Sequence, residues 1–225
     1  MVALAAPAWA QARLALVIGN SAYATAPLAN PRNDAELIAR TLRHLGFEVT
    51  RLHDADQKTM RRALIDFGRR LKAADAVGVF YFAGHGVQVE GENYLIPIGA
   101  EIREEREVAL EAVSATEVLR SFQTSSKRLS ITILDACRNN PYAAATRSGV
   151  RGLAGMNAPS GTLVSYATAP GQVAMDGDGA NSPFAEALAQ SMLQAGLLVE
   201  DVFKRTRRLV LAKTGERQVP WESSS

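Results

Sequence analysis

The chain has 225 residues, of which 47% are hydrophobic and 21% charged, and this composition excludes a disordered or fibrous protein. Its length fits one domain with a core large enough to fold without disulfides, and its single cysteine excludes an internal disulfide. The formal net charge of +2 gives no support to a nucleic-acid partner, and no run after the first residues is long and apolar enough to predict a membrane span.

The N-terminal segment, residues 1–10, reads MVALAAPAWA and ends in a small-x-small pattern before Gln11. This pattern resembles the end of a secretory signal with its cleavage site, although the usual basic start is absent. We therefore expect residues 1–10 to be the remnant of a signal and residues 11–225 to form the domain. A periplasmic or secreted protein is then expected, and a cytoplasmic protein with an apolar N-terminus is the alternative.

In the first half of the chain, short apolar runs predict strands. These strands lie at residues 13–20, 47–52, 76–83 and 93–98. Apolar residues at helical spacing predict helices at residues 33–45 and 58–73. Asn33 or Asp34 is the expected N-cap of the first helix, and Gly46 is expected to end it.

The second half continues this alternation. Apolar runs predict strands at residues 129–136 and 161–167, and helical spacing predicts helices at 114–121, 183–194 and 199–211. Strands that alternate with helices predict an α/β fold, here a three-layer α/β/α sandwich with a largely parallel central sheet. Right-handed crossovers are then expected between the parallel strands.

Two of the most apolar strands end in chemically reactive residues. One leads into Gly84, His85 and Gly86, and the other leads through Asp135 to Cys137. Because sites in open α/β sheets form at the carboxyl ends of the strands, both groups should emerge at the same edge. An imidazole can take the proton of a thiol and so activate it as a nucleophile. The backbone N–H groups of Gly86 and Cys137 are candidate donors for the oxyanion that such an attack creates.

Each of these residues also has a structural interpretation. A lone buried cysteine is usually packing, and a lone histidine after a strand often completes a turn. The placement of both at strand ends favours a catalytic pair of Cys137 and His85. A third catalytic acid is not evident, because Asp54 and Asp66 are expected on a solvated turn and a solvated helix face. The sequence therefore predicts a dyad.

Several segments together resemble the caspase-like cysteine peptidases, and within them the bacterial metacaspase-like (orthocaspase) group. These segments are residues 14–20 (LALVIGN), 33–35 (NDA), 81–86 (YFAGHG), 134–138 (LDACR), 166–171 (YATAPG) and 181–184 (NSPF). The histidine precedes the cysteine by 52 positions, close to the spacing of about 50 in caspases. The resemblance implies the caspase-like fold, with a large-subunit-like part to about residue 145, a linker loop, and a small-subunit-like part from about residue 160.

The resemblance also implies a cysteine-type endopeptidase that cuts after Arg or Lys. In metacaspase-like enzymes acidic residues line the pocket for the basic side chain, and here these would be Asp34 and Asp135. Ala83 stands where this group often has a serine in the same pocket, so one polar contact would be missing. Tyr166 and Thr168 would lie along the substrate groove. From the residues alone, Asp34 could instead be a helix cap and Asp135 a structural hydrogen-bonding group.

Further expectations concern metals and partners. No cofactor is expected. Calcium dependence is known in this group, but Asp176 and Asp178 lie in a segment without an EF-hand pattern, so no metal site is named. The expected partners are peptides or proteins with basic cleavage residues, with neither nucleic acid nor membrane, and the oligomeric state is left open. Arg147 and Arg151, in a Gly-rich loop, are candidate positions for self-processing.

Two other functions are alternatives to a peptidase. The first is a caspase-like domain that has lost catalysis and serves in binding or regulation, since fold alone does not determine function. The second is a flavodoxin-like nucleotide-binding module. The chain has neither a GxGxxG nor a GxxxxGK[ST] phosphate-binding pattern, which argues against the second function.

Overall fold

The computed structural model describes residues 11–123, 128–136 and 152–225. The strands are β1 (Arg13–Gly19), β2 (Glu48–His53), β3 (Val77–Ala83), β4 (Gly86–Val89), β5 (Glu92–Leu95), β6 (Val113–Ser114), β7 (Ser130–Asp135), β8 (Thr162–Tyr166) and β9 (Trp221–Ser224). The helices are α1 (Pro31–His44), α2 (Gln57–Ala74), α3 (Val108–Glu111), α4 (Ala115–Gln123), α5 (Pro183–Met192) and α6 (Val199–Thr214). A short 3₁₀ turn, Glu105–Glu107, precedes α3.

The central sheet has six strands in the order β2-β1-β3-β7-β8-β9. The first five are parallel and β9 is antiparallel to β8. The strands β1, β3, β7 and β8 are buried along nearly their whole length, as their continuous apolar runs predict for strands covered on both faces. The predicted fold class, with its largely parallel sheet, is confirmed. A second sheet, β4-β5-β6, is small and antiparallel.

Helices cover both faces of the central sheet. On one face α2 packs against α4, and the ring of Phe122 lies 5.4 Å from that of Phe67 and 6.0 Å from that of Phe80. The next residue of β3, Tyr81, points to the opposite face because side chains alternate along a strand. That face is covered by α1, α5 and α6, which pack in that order. The interior therefore consists of two layers of side chains, one on each side of the sheet.

The start of α1 differs from its prediction. The helix begins at Pro31 and its N-cap is Asn30, so the expectation that Asn33 or Asp34 caps it is wrong. Proline suits the first helical turn because its fixed φ matches the helix and its missing N–H would have no partner there. Asp34 thus lies inside the first turn of α1. The end of α1 is close to the expected one, and Gly46 follows it in the left-handed region at φ 80°.

Three strands have no counterpart among the predicted strands, and one of them is the two-residue β6. The strand β4 forms a hairpin with β5 around the turn at Glu90 and Gly91, and β9 pairs with β8 at the edge of the central sheet. Both have only four residues, and β9 consists of Trp, Glu and two Ser. Such short segments carry too few residues to show the apolar alternation by which strands are predicted.

The carboxyl ends of the parallel strands are tied to one another at one edge of the sheet. Backbone hydrogen bonds beyond the strand ends run from Asn20 to Ala83, from Gly84 to Asp135 and from Ala167 to Leu134, with N···O distances of 2.9, 3.3 and 3.0 Å. The segments that leave β1, β3, β7 and β8 are therefore held side by side, as the sequence predicts for a site at this edge.

Asn20, at the end of β1, holds two further segments of the chain. Its side chain is fully buried, and its Oδ1 accepts the backbone N–H of Ala55 at 2.9 Å. Its Nδ2 donates to the carbonyl oxygens of Ala55 and Ile96, at 3.2 and 3.3 Å. One amide side chain thus connects the end of β1 with the segments before α2 and after β5.

Residues 1–10, with the predicted signal remnant, lie outside the described residues. Of the helices in the described part of the chain, none combines the length and the apolar character needed to cross a bilayer.

We expect Asn20→Ala to destabilise the fold by about 1–3 kcal/mol, because the buried backbone N–H of Ala55 loses the Asn20 oxygen that it binds, and the carbonyls of Ala55 and Ile96 each lose one donor. Urea unfolding should show a lower midpoint with an unchanged slope. Asn157→Ala, at an exposed position, is the matched control and should leave the midpoint nearly unchanged. Equal midpoints for the two variants would contradict this role of Asn20.

Candidate active site

His85 is almost fully buried, with 1% of its surface exposed, directly after β3. Its backbone N–H donates to the hydroxyl of Tyr23 at 3.0 Å, and that hydroxyl donates to the Ile96 carbonyl oxygen at 3.0 Å. The His85 carbonyl in turn accepts the N–H of Ile96 at 3.0 Å. The Tyr23 ring also lies against the imidazole, with 4.5 Å between the ring centroids. Tyr23 thus contacts both the main chain and the ring of His85, and Ile96 binds its main chain.

The imidazole of His85 is oriented by a backbone carbonyl. Its Nε2 lies 2.7 Å from the carbonyl oxygen of Ala26. Since a carbonyl oxygen only accepts hydrogen bonds, Nε2 carries the hydrogen of the neutral ring and the lone pair lies on Nδ1. An imidazole held in this way can accept a proton at Nδ1 while Nε2–H stays bound to the Ala26 carbonyl.

Ala26 adopts the left-handed conformation, with φ 54°, which is uncommon for a residue with a Cβ and persists only where the surroundings impose it. Two carboxylates anchor the segment around it by accepting backbone N–H groups: Asp54 from Ser21 at 2.7 Å and Ala22 at 2.9 Å, and Asp176 from Ala29 at 3.1 Å. The position of the Ala26 carbonyl is therefore determined by side chains from two other loops.

Asp54 and Asp66, the two candidates for a third catalytic acid, have other roles. Asp54 holds the segment that carries Ala26, and Asp66 pairs with Arg69 on α2, where more than half of its side chain is exposed. The group that orients His85 is instead a main-chain oxygen. The sequence contains no signal for it, because a backbone carbonyl is present at every residue and its use depends only on tertiary structure.

Cys137 lies outside the described residues, as do Arg147 and Arg151. The chain is described up to Ala136, one residue before Cys137, and Ala136 is fully buried. Gly86 lies against it so closely that a Cβ on Gly86 would be 2.4 Å from the Ala136 carbonyl oxygen. The residues on either side of this contact lead directly to His85 and to Cys137, so the two strand ends meet where the sequence predicts a catalytic pair.

Asp34 and Asp135 are both fully buried and share one hydrogen-bonding partner. Asp34 Oδ1 accepts from Asn181 Nδ2 at 3.0 Å and from the backbone N–H of Ser182 at 2.8 Å. Asp135 Oδ2 accepts from the hydroxyl of Tyr81 at 3.0 Å and from the hydroxyl of Ser182 at 2.8 Å. The structure thus brings together two predicted pocket residues that are about 100 positions apart in the sequence.

Two helix N-termini lie at this acid pair. Asp34 lies in the first turn of α1, and Ser182 is the N-cap of α5. The N-terminus of a helix carries partial positive charge and unpaired N–H groups, which stabilise carboxylates nearby. The three donors to the pair from the α5 side and from β3, which are Asn181, Ser182 and Tyr81, are uncharged.

The other predicted substrate-binding residues are Ala83 of the pocket and, along the groove, Tyr166 and Thr168. Ala83 is fully buried and lies directly opposite Asp135 in the register of β3 and β7. Tyr166 lies opposite Leu134, so its side chain points to the other face of the sheet from Asp135, and its hydroxyl accepts the backbone N–H of Met156. The structure therefore does not bring Tyr166 to the acid pair. Thr168 is buried in the segment after β8.

In residues 11–123, 128–136 and 152–225 no group of three or more His, Cys, Asp or Glu side chains is arranged to hold a metal ion. Asp176, in the segment weighed for calcium, binds the backbone of Ala29 through Oδ2.

Comparisons with known proteins identify the family of this chain. The chain matches the model of the family described as the caspase domain over residues 12–225. Over 135 residues it is 32% identical to human mucosa-associated lymphoid tissue lymphoma translocation protein 1, covering 59% of this chain and 16% of that protein. The mouse homolog is 31% identical over 135 residues, with the same coverage. The chain spans about a sixth of the length of these curated relatives.

The fold is also found among solved structures. The Drosophila initiator caspase Dronc superposes with a TM-score of 0.69 over 94% of this chain and 78% of that chain, at 16% sequence identity. At this identity the likeness concerns the fold, and it confirms the predicted caspase-like sandwich.

We expect Gly86→Ala to push the end of β7 away from the His85 segment, because the added methyl group would overlap the Ala136 carbonyl oxygen. Overpacking of this kind costs about 1–3 kcal/mol, which thermal or urea unfolding would measure. Gly179→Ala is the matched control, since a Cβ there would come no closer than 4.0 Å to its neighbours. Similar stability of both variants would contradict the close contact.

Proposed function

Because the chain belongs to the caspase-domain family, we propose that it is a cysteine endopeptidase of the metacaspase-like kind, in which Cys137 and His85 cut peptide bonds after Arg or Lys. The observation that carries this proposal is the position of His85. Its ring is buried at the end of β3, held through Nε2 by the Ala26 carbonyl, next to the strand end that continues into Cys137.

The chemistry would follow acyl transfer by a thiol. Nδ1 of His85 takes the proton of the Cys137 thiol, and the thiolate attacks the carbonyl carbon of the peptide bond. The tetrahedral intermediate collapses as the imidazolium gives its proton to the leaving amine, which leaves an acyl-enzyme. A water molecule, deprotonated by His85, then attacks the thioester and releases the acid and the thiol. The backbone N–H groups of Gly86 and Cys137 are the proposed donors to the oxyanion.

The Ala26 carbonyl would act on His85 throughout this cycle. When the ring is protonated, both nitrogens are donors, and the Nε2–H bond to a carbonyl oxygen becomes stronger because its donor is charged. The contact also prevents the ring from turning away between the two proton transfers. A carbonyl supplies this orientation without placing a second ionised group in the buried site.

The preference for basic residues is supported by the acid pair. A guanidinium or ammonium group that enters beside Asp34 and Asp135 would exchange its water for charge-assisted hydrogen bonds to carboxylates. Burial strengthens this attraction, because the effective dielectric constant around the pair is lower than in water. Ala83 would contribute an apolar wall where metacaspase-like enzymes often have a serine hydroxyl, so one polar contact to the substrate is absent.

We expect wild-type protein to cleave a positional peptide library after Arg and Lys and not after Asp. Cys137→Ala and His85→Ala should each lower kcat/KM by roughly four orders of magnitude or more, as in other enzymes that lose a nucleophile or its base.

The same assay, run with calcium and with a chelator, shows whether the activity needs this ion. Comparing fragments of wild type and Cys137→Ala over time tests self-processing at Arg147 or Arg151.

Cleavage after Asp would contradict the proposed specificity, and full activity of Cys137→Ala would contradict the nucleophile. Binding of basic peptides by wild-type protein without any turnover would favour the alternative of a caspase-like domain that only binds.

We expect Asp34→Asn and Asp135→Asn to keep the side-chain shape and lose one charge of the pocket. Losing one partner of a buried charge pair costs about 2–5 kcal/mol, so kcat/KM for an Arg peptide should fall roughly 30- to 5,000-fold. Asp66→Asn, at an exposed carboxylate on α2, is the control and should keep wild-type kinetics. Equal kinetics of all three variants would contradict the assignment of the acid pair.

A further inference from the structure

Ser182 is the one described residue whose hydrogen bonds reach both carboxylates of the acid pair. It is fully buried at the N-terminus of α5. Its backbone N–H donates to Asp34 Oδ1 and its hydroxyl donates to Asp135 Oδ2, both at 2.8 Å. The same hydroxyl accepts the backbone N–H of Ala185 at 3.0 Å, which makes it the cap of the helix.

These contacts determine where the hydroxyl proton of Ser182 lies. A serine hydroxyl has one proton to donate and two lone pairs that accept. The N–H of Ala185 occupies a lone pair, because a backbone N–H can only donate. The single proton is then directed at Asp135 Oδ2, where the Tyr81 hydroxyl donates as well. The orientation of the hydroxyl is thus set by the helix terminus and not by the carboxylate alone.

We propose that Ser182 is the positioning residue that sets the spacing of Asp34 and Asp135 and thereby makes the pocket select Arg over Lys. This inference rests on the proposed function, since it assigns how the basic-residue pocket discriminates. Ser182 acts through the two carboxylates and is not itself assigned a contact with substrate.

The discrimination follows from the different shapes of the two cations. A guanidinium is planar and offers a rigid fork of donors, so it gains most from acceptors held at a fixed separation and angle. An ammonium group is a compact charge whose three donors rotate, and it tolerates acceptors that move. Two carboxylates joined through one buried residue form a fixed pair. If that link is lost, the charge of the pocket remains but its geometry loosens, and Arg loses more affinity than Lys.

The experiment uses the full chain with Cys137→Ala, so that binding is measured without turnover. Fluorescence polarisation gives Kd for labelled peptides that differ only in their last residue, which is Arg, Lys or the neutral isostere citrulline. In this background we expect Arg to bind more tightly than Lys, and citrulline weakly. Adding Ser182→Ala should raise Kd for Arg roughly tenfold or more, the loss expected for one hydrogen bond to a charged group. Kd for the Lys peptide should rise less, so the ratio of Kd for Lys to Kd for Arg falls.

Controls separate positioning from simple stability. Ser182→Thr keeps the hydroxyl and should retain the ratio. Asp56→Ala removes a comparable N-cap from α2, where Asp56 accepts the backbone N–H of Thr59, and should leave the ratio unchanged. Tyr81→Phe removes the other hydroxyl from Asp135 Oδ2 without touching a helix cap. It should lower the ratio as well, and it replaces Ser182→Ala if that variant does not fold.

The outcomes are distinct. A ratio that stays the same in Ser182→Ala, or in Tyr81→Phe where Ser182→Ala does not fold, overturns the inference. An equal fall of the ratio in Asp56→Ala also overturns it, and so does a Cys137→Ala protein that binds no Arg peptide. If wild-type protein cleaves nothing while the ratio still depends on Ser182, the proposed peptidase activity fails and the pocket inference stands. If wild type cleaves after Arg and the ratio is unchanged in Ser182→Ala, the proposed peptidase activity stands and this inference fails.

Discussion

The parallel pairing of β3 with β7 places Ala83 directly opposite Asp135, and both strands end at this register. The chain then continues from β3 into His85 and from β7 through Ala136 to Cys137. A shift of the pairing by one residue would turn Asp135 to the other face of the sheet, away from α1 and α5. Both the proposed catalytic pair and the acid pair therefore depend on this one register, which the apolar side chains of the two strands stabilise by being buried on both faces.

Buried side chains around this register form hydrogen bonds in which each polar group needs a partner. Asn20, Tyr23 and Asp54 each bind backbone groups of neighbouring segments, and together they hold the segment that carries the Ala26 carbonyl. A buried polar group without a partner is costly, so such a network favours one arrangement of the loops over alternatives. The consequence for function is an imidazole of His85 whose tautomer and orientation are set before any substrate arrives.

The acid pair joins distant parts of the chain. Asp34 comes from α1, Asp135 from β7, and the residue that bridges them from the start of α5. The acid pair therefore forms only when α1, β7 and α5 are packed together. The proposed specificity is thus coupled to folding, because the contact that orients the carboxylates also caps a helix of the layer that covers them.

Sequence patterns alone determined the layered α/β architecture and the strand-end positions of His85 and Cys137, because apolar periodicity records burial and side-chain identity records chemistry. They also pointed to Asp34 and Asp135 by resemblance, without showing that the two carboxylates share a partner. Only the tertiary structure decided that Pro31 starts α1, that Tyr166 faces away from the acid pair, and that the Ala26 carbonyl orients His85. For the site the physical reason is that a backbone carbonyl has no side-chain signature, and that contacts between distant residues depend on strand register and helix packing, which local patterns do not encode.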